Sequence, residues 1–247
     1  MAHETDSALA ARLATGAGRL LLTVRADLAG APPEQRKGAG DRRSHEWLMA
    51  ALAEHRPGDA VLSEEGSDDP ARLDAERVWI VDPVDGTREF GELERDDWAV
   101  HVALWERGAL TAGAVALPAQ GVTLSTADVP PLPAPSGGRP RLVVSRTRPP
   151  ALIPPLAQAL DAELVPMGSA GAKAMAVLQG KADAYVHAGG QYEWDSAAPV
   201  AVAAAAGLHT SRIDGSALRY NQPDLLLPDL LICRPELRDQ LLALLRG

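Results

Sequence analysis

Acidic residues stand at the ends of apolar segments in four separate parts of the chain. They are Asp41, the pair Glu64-Glu65, the pair Asp82 and Asp85, and Asp195. Carboxylates at such positions either cap helices and close turns, or meet in one pocket and bind a cation. Taken one at a time, each group is accounted for by the capping or turn interpretation. The function therefore depends on whether the fold brings these groups together.

The segment "DPVDGT", residues 82–87, has the local chemistry of a cation site. Pro83 fixes its own backbone and pushes Asp82 towards an extended conformation, and Gly86 permits a sharp reversal directly after Asp85. Both carboxylates can then point into one pocket, with the intervening backbone carbonyl and the following threonine hydroxyl beside them. Hard oxygen ligands of this kind suit Mg²⁺ or Mn²⁺. The segment predicts a magnesium-type site.

The hydrophobic pattern of the first half predicts two helices followed by a sheet. Helical spacing of apolar residues indicates a helix from Ser7 to about Leu28. A loop rich in Pro and Gly follows, and we expect Asp41 to cap a second helix that ends at about His55. The segments "DAVLSEEG" and "RVWIVDP" predict strands that end in acidic residues, and an alternating antiparallel meander follows them.

The segment 128–140, "DVPPLPAPSGGRP", carries five prolines and two glycines and predicts a boundary. We expect an N-terminal α+β lobe, 1–127, that holds most of the metal ligands. A C-terminal α/β lobe, 141–247, would supply Asp195 and substrate contacts, and the two lobes would form one compact unit. Strands alternate with helices in the second half, and Asp195 stands just before an Ala-rich helix.

Composition excludes several classes of protein. The net charge of −9 leaves no basic surplus for a nucleic-acid polymer, and the single cysteine excludes an internal disulfide or a thiolate cluster. Neither a signal peptide nor a membrane-spanning run of apolar residues is evident, so we expect a cytoplasmic protein without a membrane partner. The histidines, His101 among them, show no metal-ligand spacing, and no chemistry is assigned to them.

Three motifs in register resemble the signature of the inositol monophosphatase-like, metal-dependent phosphatase superfamily. They are Glu64-Glu65, the run Asp82-Pro83-Val84-Asp85-Gly86-Thr87, and Trp194-Asp195-Ser196-Ala197-Ala198. Two further stretches resemble its 3′(2′),5′-bisphosphate nucleotidase (CysQ) branch: Arg88-Glu89-Phe90 and Val144-Ser145-Arg146-Thr147. The likeness covers nearly the whole chain and implies a layered α-β-α-β-α sandwich, an α/β fold.

The resemblance implies a role for each matching residue. Glu64, Asp82 and the Val84 carbonyl would hold one Mg²⁺, and Asp82, Asp85 and Asp195 a second. A third ion would sit near Glu64, Mn²⁺ would be able to substitute, and Li⁺ would inhibit. Asp41 would orient Thr87, which would position the attacking water, so Asp41, Thr87 and Glu64 are the predicted catalytic residues.

The predicted substrate contacts come partly from the resemblance and partly from a helix start. The resemblance implies contacts from Asp85, Gly86, Thr87, Ser145, Arg146 and Asp195. Gly168 and Ser169 offer backbone N–H groups for a phosphate oxygen, with an ordinary helix cap as the competing interpretation. Lys173, one turn further on, can reach an anionic group, with a solvated lysine as the alternative.

The predicted activity is hydrolysis of the 3′-phosphate of 3′-phosphoadenosine 5′-phosphate, with its sulfated form as a further substrate and a role in sulfate assimilation. The partner would be a small phosphate ester, and a homodimer is left open. Inositol monophosphatase or fructose-1,6-bisphosphatase activity at the same site is the first alternative. A regulator that keeps the metal site without turnover is the second.

Overall fold

A computed structural model of the chain describes residues 4–246, which form two five-stranded sheets and seven helices. The helices of this part of the chain are α1 (Asp6–Asp27), α2 (Pro33–His55), α3 (Thr87–Gly91), α4 (Ile153–Leu160), α5 (Ala170–Leu178), α6 (Glu193–Ala205) and α7 (Arg238–Arg246). No helix of the described residues is both long and apolar enough to cross a membrane.

The first sheet comes entirely from the first half of the chain. Its strands, in spatial as well as chain order, are β1 (Ala60–Ser63), β2 (Arg77–Asp85), β3 (Ala99–Glu106), β4 (Ala109–Leu117) and β5 (Val122–Ser125). β1 runs parallel to β2, and the other neighbours are antiparallel. The predicted meander is thereby confirmed in β3, β4 and β5, and β2 adds a further antiparallel neighbour.

The second sheet comes from the second half. Its strands are β6 (Arg141–Ser145), β7 (Glu163–Met167), β8 (Ala184–Tyr192), β9 (His209–Ser211) and β10 (Leu226–Cys233), in the order β7-β6-β8-β10-β9. β6 is parallel to β7 and β8, whereas β10 is antiparallel to β8 and β9. This mixture follows from the crossover helices, since α4 and α5 return the chain to the same end of the sheet.

Strand alternation divides the molecule into five layers. In β2, Trp79 and Val81 pack against α1 and α2, while Val78 and Ile80 face α5 and α6 in the central layer. In the second sheet, Val143 faces the same central layer. The outer face of this sheet packs on α4 and α7. The predicted α-β-α-β-α sandwich is confirmed, and α5 and α6 lie between the two sheets.

The expected start of the second helix is wrong. α2 begins at Pro33 and not after Asp41, so Asp41 lies inside the helix. Proline is tolerated in a first helical turn, because its missing N–H has no helical partner there. Gly40 is tolerated for a packing reason, since a Cβ at that position would sit 2.4 Å from the Phe90 ring. The glycine that suggested a loop is required by close contact.

Candidate active site

The end of β2 brings Asp82 and Asp85 to the same side. The pairing of β2 with β3 is irregular between these two residues, which breaks the alternation that would otherwise separate them. The carboxylate of Asp82 accepts a hydrogen bond from the backbone N–H of Val84 at 2.9 Å. Gly86 then adopts a left-handed conformation, φ 82°, and the chain turns directly into α3. The predicted reversal is present.

Asp195 joins these two carboxylates from the other half of the chain. It is the third residue of α6, inside its first turn and not before the helix as expected, and its carboxylate accepts from the N–H of Tyr192 at 2.6 Å. Ligand oxygens of Asp82, Asp85 and Asp195 all lie within 4.8 Å of one another. We name these three residues the acidic cluster. Its oxygens are the donors that hard divalent cations prefer.

The pKa values at the cluster reflect crowding of negative charge. Burial, followed by the charges of Glu64 and Asp85, holds the pKa of Asp82 well above its usual range. Burial and the charge of Asp85 raise the pKa of Asp195 to about 7. Carboxylates that resist ionisation in this way are held together at a cost, which a bound cation would offset. The donor set therefore fits a divalent metal.

Glu64 stands beside the cluster rather than within it. Desolvation of its carboxyl and the charge of Asp85 raise the pKa of Glu64 to about 7, against the opposing effect of a hydrogen bond with Asp82. The residue as a whole is nevertheless exposed to solvent. Metal binding by Glu64 therefore stays a prediction.

Asp85 is anchored by the first turn of α5. Its carboxylate accepts hydrogen bonds from the backbone N–H of Ala170 at 3.1 Å, from that of Gly171 and from the hydroxyl of Ser169. Burial alone would raise the pKa of Asp85, but His101 and the Ser169 hydrogen bond lower it to about 2. Asp85 is therefore the member of the cluster whose ionised form its surroundings favour.

His101 is the residue that the sequence interpretation missed. It is fully buried on β3, with Nε2 3.1 Å from the Asp85 carboxylate and Nδ1 3.0 Å from the carbonyl of Trp194. A carbonyl can only accept, so Nδ1 carries a proton. Ala99 and Ala103, which lie on the same face of β3 as His101, face the central layer. A titratable residue at an inward position of an alternating strand was the available signal.

Asp41 and Thr87 meet although Asp41 caps no helix. The Thr87 hydroxyl lies 3.0 Å from the Val84 carbonyl and 3.5 Å from the Asp41 carboxylate, which is long for an O–H donor. Burial and the charge of Glu65 raise the pKa of Asp41 to about 6. The structure thus places the predicted pair together, with the Val84 carbonyl as the nearer partner of the hydroxyl.

A cavity of about 450 Å³ opens beside the acidic cluster. Asp85 and Asp195 line one side, and several predicted substrate contacts line the rest: Gly86, Thr87, Ser145, Arg146, Gly168, Ser169 and Lys173. Lys173 is buried and donates to the carbonyls of Gly168 and Ser169 at 3.0 and 2.6 Å. The alternative of a solvated lysine is therefore wrong.

Arg146 and Gly168, like other predicted substrate contacts, already have protein partners. Arg146 forms ion pairs with Glu89 at 2.6 Å and Glu92 at 2.8 Å, which join the end of β6 to α3. The backbone N–H of Gly168 donates to the Asp97 carboxylate. A substrate phosphate would have to compete with these carboxylates, so substrate binding by Arg146 and Gly168 stays a prediction.

Comparison with known proteins assigns the chain to a family. The model of the inositol monophosphatase family matches residues 5–131 and 140–246. The chain belongs to this family. It is 52% identical over 99% of its length, and 95% of the relative, to a 3′-phosphoadenosine 5′-phosphate phosphatase of Mycobacterium leprae. It is 56% identical to the Mycobacterium bovis protein of that name, over 92% of this chain and 88% of the relative.

Solved structures of the family share the five-layer fold. A CysQ from Bacteroides thetaiotaomicron superposes with a TM-score of 0.75 at 27% identity, covering 93% of this chain and 97% of the other. An inositol monophosphatase from Staphylococcus aureus gives 0.78 at 20% identity, covering 94% and 92%. The family is metal-dependent, and the acidic cluster is where this member can bind metal.

Proposed function

We propose that this protein is a Mg²⁺-dependent phosphomonoesterase that removes the 3′-phosphate of 3′-phosphoadenosine 5′-phosphate and acts also on the sulfated form. The observation that carries the proposal is the meeting of Asp82, Asp85 and Asp195 beside a cavity with cationic side chains on its walls. The names of relatives that are 52% and 56% identical support the choice of substrate. In the cell this activity would serve sulfate assimilation.

The acidic cluster, with Glu64 and the Val84 carbonyl, would hold two or three Mg²⁺ ions. Mn²⁺ would be able to substitute, and Li⁺ would inhibit by occupying a magnesium position. When bound, divalent ions of this kind lower the pKa of a water ligand and stabilise the charge on the departing oxygen. The raised pKa values of Asp82 and Asp195 support this assignment, because a cation relieves the repulsion that causes them.

The remaining chemistry falls to side chains of this protein. Thr87, held between the Val84 carbonyl and Asp41, would orient the attacking water through its hydroxyl. Asp85 keeps a fixed direction because the first turn of α5 donates to it. Phosphoryl transfer leaves little covalent work for a protein, so positioning of this kind supplies most of its contribution.

The cavity is large enough for the organic half of a nucleotide. Its volume of about 450 Å³ falls within the range that small-molecule sites occupy. Lys173 contributes positive charge from inside the wall, and Arg88 and Arg148 line the cavity with exposed guanidinium groups. These groups would attract a substrate that carries a second phosphate.

Rates of phosphate release on three substrates test the proposal. We expect kcat/KM to be higher for 3′-phosphoadenosine 5′-phosphate than for inositol monophosphate or fructose 1,6-bisphosphate. Excess chelator should stop all three reactions. Asp82→Asn should abolish turnover, whereas Asp74→Asn, which changes an exposed aspartate outside the site, should not. A clear preference for inositol monophosphate would reassign the substrate, and undiminished release in chelator would refute the metal assignment.

A further inference from the structure

A buried amide in the cavity wall has no partner for its oxygen. Gln191, near the end of β8, is 5% exposed and lines the same cavity as Asp85 and Asp195. Its Nε2 donates to the hydroxyl of Tyr185 at 2.8 Å. Its Oε1 has no hydrogen-bond partner among residues 4–246. Buried polar atoms without partners destabilise the native state and are uncommon, so this one requires a reason.

Rotating the amide of Gln191 does not give all of its polar atoms a hydrogen-bond partner. If the amide of Gln191 were turned by 180°, its oxygen would accept from the Tyr185 hydroxyl, but its NH₂ group would then have no acceptor. One polar group of Gln191 is unpaired in either orientation. The side chain therefore has hydrogen-bonding capacity that the described protein atoms do not use.

Tyr185 has a matching unused group. Its ring is buried, its hydroxyl oxygen accepts from Gln191, and within the described residues it has no acceptor for its own O–H. Tyr185 lines the cavity as well. Together the two side chains offer one acceptor and one donor at adjacent positions. A ligand hydroxyl, which can donate and accept at once, complements such a pair.

The pair adjoins the acidic cluster through a continuous set of contacts. The ammonium group of Lys173 lies 5.3 Å from the centre of the Tyr185 ring. Lys173 donates to the carbonyl of Ser169, and the Ser169 hydroxyl donates to Asp85. The unused groups thus belong to the part of the wall next to the carboxylates. A ligand hydroxyl that reaches them would lie in the same cavity as a phosphate ester held at the acidic cluster.

We propose that Gln191 and Tyr185 bind the ribose hydroxyl adjacent to the scissile 3′-phosphate. The ribose 2′-hydroxyl donates to Oε1 of Gln191 and accepts from the O–H of Tyr185. The pair thereby selects ribonucleotides over 2′-deoxyribonucleotides. This inference rests on the proposed function, because it requires a nucleotide 3′-phosphate in the cavity.

The unmodified enzyme provides the first test. Its kcat/KM is measured for 3′-phosphoadenosine 5′-phosphate and for the 2′-deoxy analogue. We expect the ribonucleotide to be preferred by at least about tenfold, because the analogue leaves both buried groups unpaired. Equal turnover of the two substrates would overturn the inference and leave the proposed function standing. Failure to hydrolyse either one would overturn the proposed function and, with it, this inference.

Matched variants provide the second test. Gln191→Met and Tyr185→Phe should each bring the ratio of ribonucleotide to deoxyribonucleotide kcat/KM towards one. Tyr220→Phe is the control, since Tyr220 is also buried and bonded to a single side chain but does not line the cavity. It should keep the native ratio. A ratio unchanged in both test variants would refute the assignment, and the ratio is insensitive to a general loss of activity.

Discussion

Replacement of Asp82 by asparagine should stabilise the metal-free protein while it abolishes turnover. Oxygens of Asp82, Asp85 and Asp195 lie within 4.8 Å of one another. At an effective dielectric constant near 20, a fully ionised pair at that separation repels by about 3 kcal/mol. The raised pKa values of Asp82 and Asp195 mean that protons offset part of this charge at neutral pH. We therefore expect a net gain of about 1–3 kcal/mol.

Asparagine keeps the local structure that the aspartate supports. Its side-chain oxygen can accept from the N–H of Val84 as Asp82 does, and its amide N–H groups can donate to the neighbouring carboxylates. The substitution thus removes charge without removing the turn. For a domain of this size, 1 kcal/mol corresponds to about 2–4 °C in Tm. The metal-free variant should unfold about 2–12 °C above the native protein.

Saturating Mg²⁺ should reverse the order of the two proteins. Each Mg²⁺ ion at a hundred times its Kd stabilises the native state by about 2.7 kcal/mol, so two ions would outweigh the advantage of about 1–3 kcal/mol that the variant has in chelator. The variant lacks one of the carboxylates that would hold these ions. Thermal unfolding with chelator and with Mg²⁺ measures both signs, and Asp74→Asn should follow the native protein in each. A variant that is less stable than the native protein in chelator, or that gains as much from Mg²⁺, would refute a shared cation site.

Three further perturbations test other parts of the site. The stability of the metal-free protein should fall as pH rises from about 4 to about 7. In this range the folded state holds a proton on Asp195, whose pKa is about 7, and the unfolded state has lost it. In Asp195→Asn, Tm should no longer show this part of the decrease with pH. Arg146→Gln should lower Tm and reduce kcat/KM for substrates with one and two phosphates by similar factors, since the ion pairs of Arg146 join α3 to β6; a loss confined to the bisphosphate would identify Arg146 as a phosphate ligand. Gly171→Ala should destabilise the fold by about 1–3 kcal/mol and reduce turnover, because its Cβ would lie 2.1 Å from His101. Urea unfolding and phosphate release measure the two effects. Gly58→Ala, which has open space around the new Cβ, should show neither.

Periodicity predicted most of the elements because most of them bury one face or both. Alternation in residues 99–117 and helical spacing in α1 are strong signals, and both are confirmed. The start of α2 was missed because proline and glycine are typical of loops, and the sequence does not show when a helix contains them for a packing reason. A glycine occupies this helical position because Phe90, fifty residues later, packs against it. Contact between distant residues is not visible in a local pattern.

The acidic cluster was predictable because its residues carry a local signature, whereas their surroundings were not. The turn at Asp82 to Gly86 follows from proline and glycine chemistry, and the family resemblance supplied Asp195. His101 carries no spacing signal, since its partners Asp85 and Trp194 are distant in sequence. The partners of Arg146 were likewise invisible, although a basic residue near a phosphate site suggested a substrate contact.

Asp85 explains why neither half of the chain would form this site alone. The residue ends β2 in the first half, yet its hydrogen-bond donors Ser169, Ala170 and Gly171 begin α5 in the second. His101 adds a link from β3 to the carbonyl of Trp194, which precedes Asp195. These hydrogen bonds can form only when α5 and α6 are packed between the two sheets. Cation binding, which needs all of these oxygens at once, is therefore coupled to the docking of the two halves.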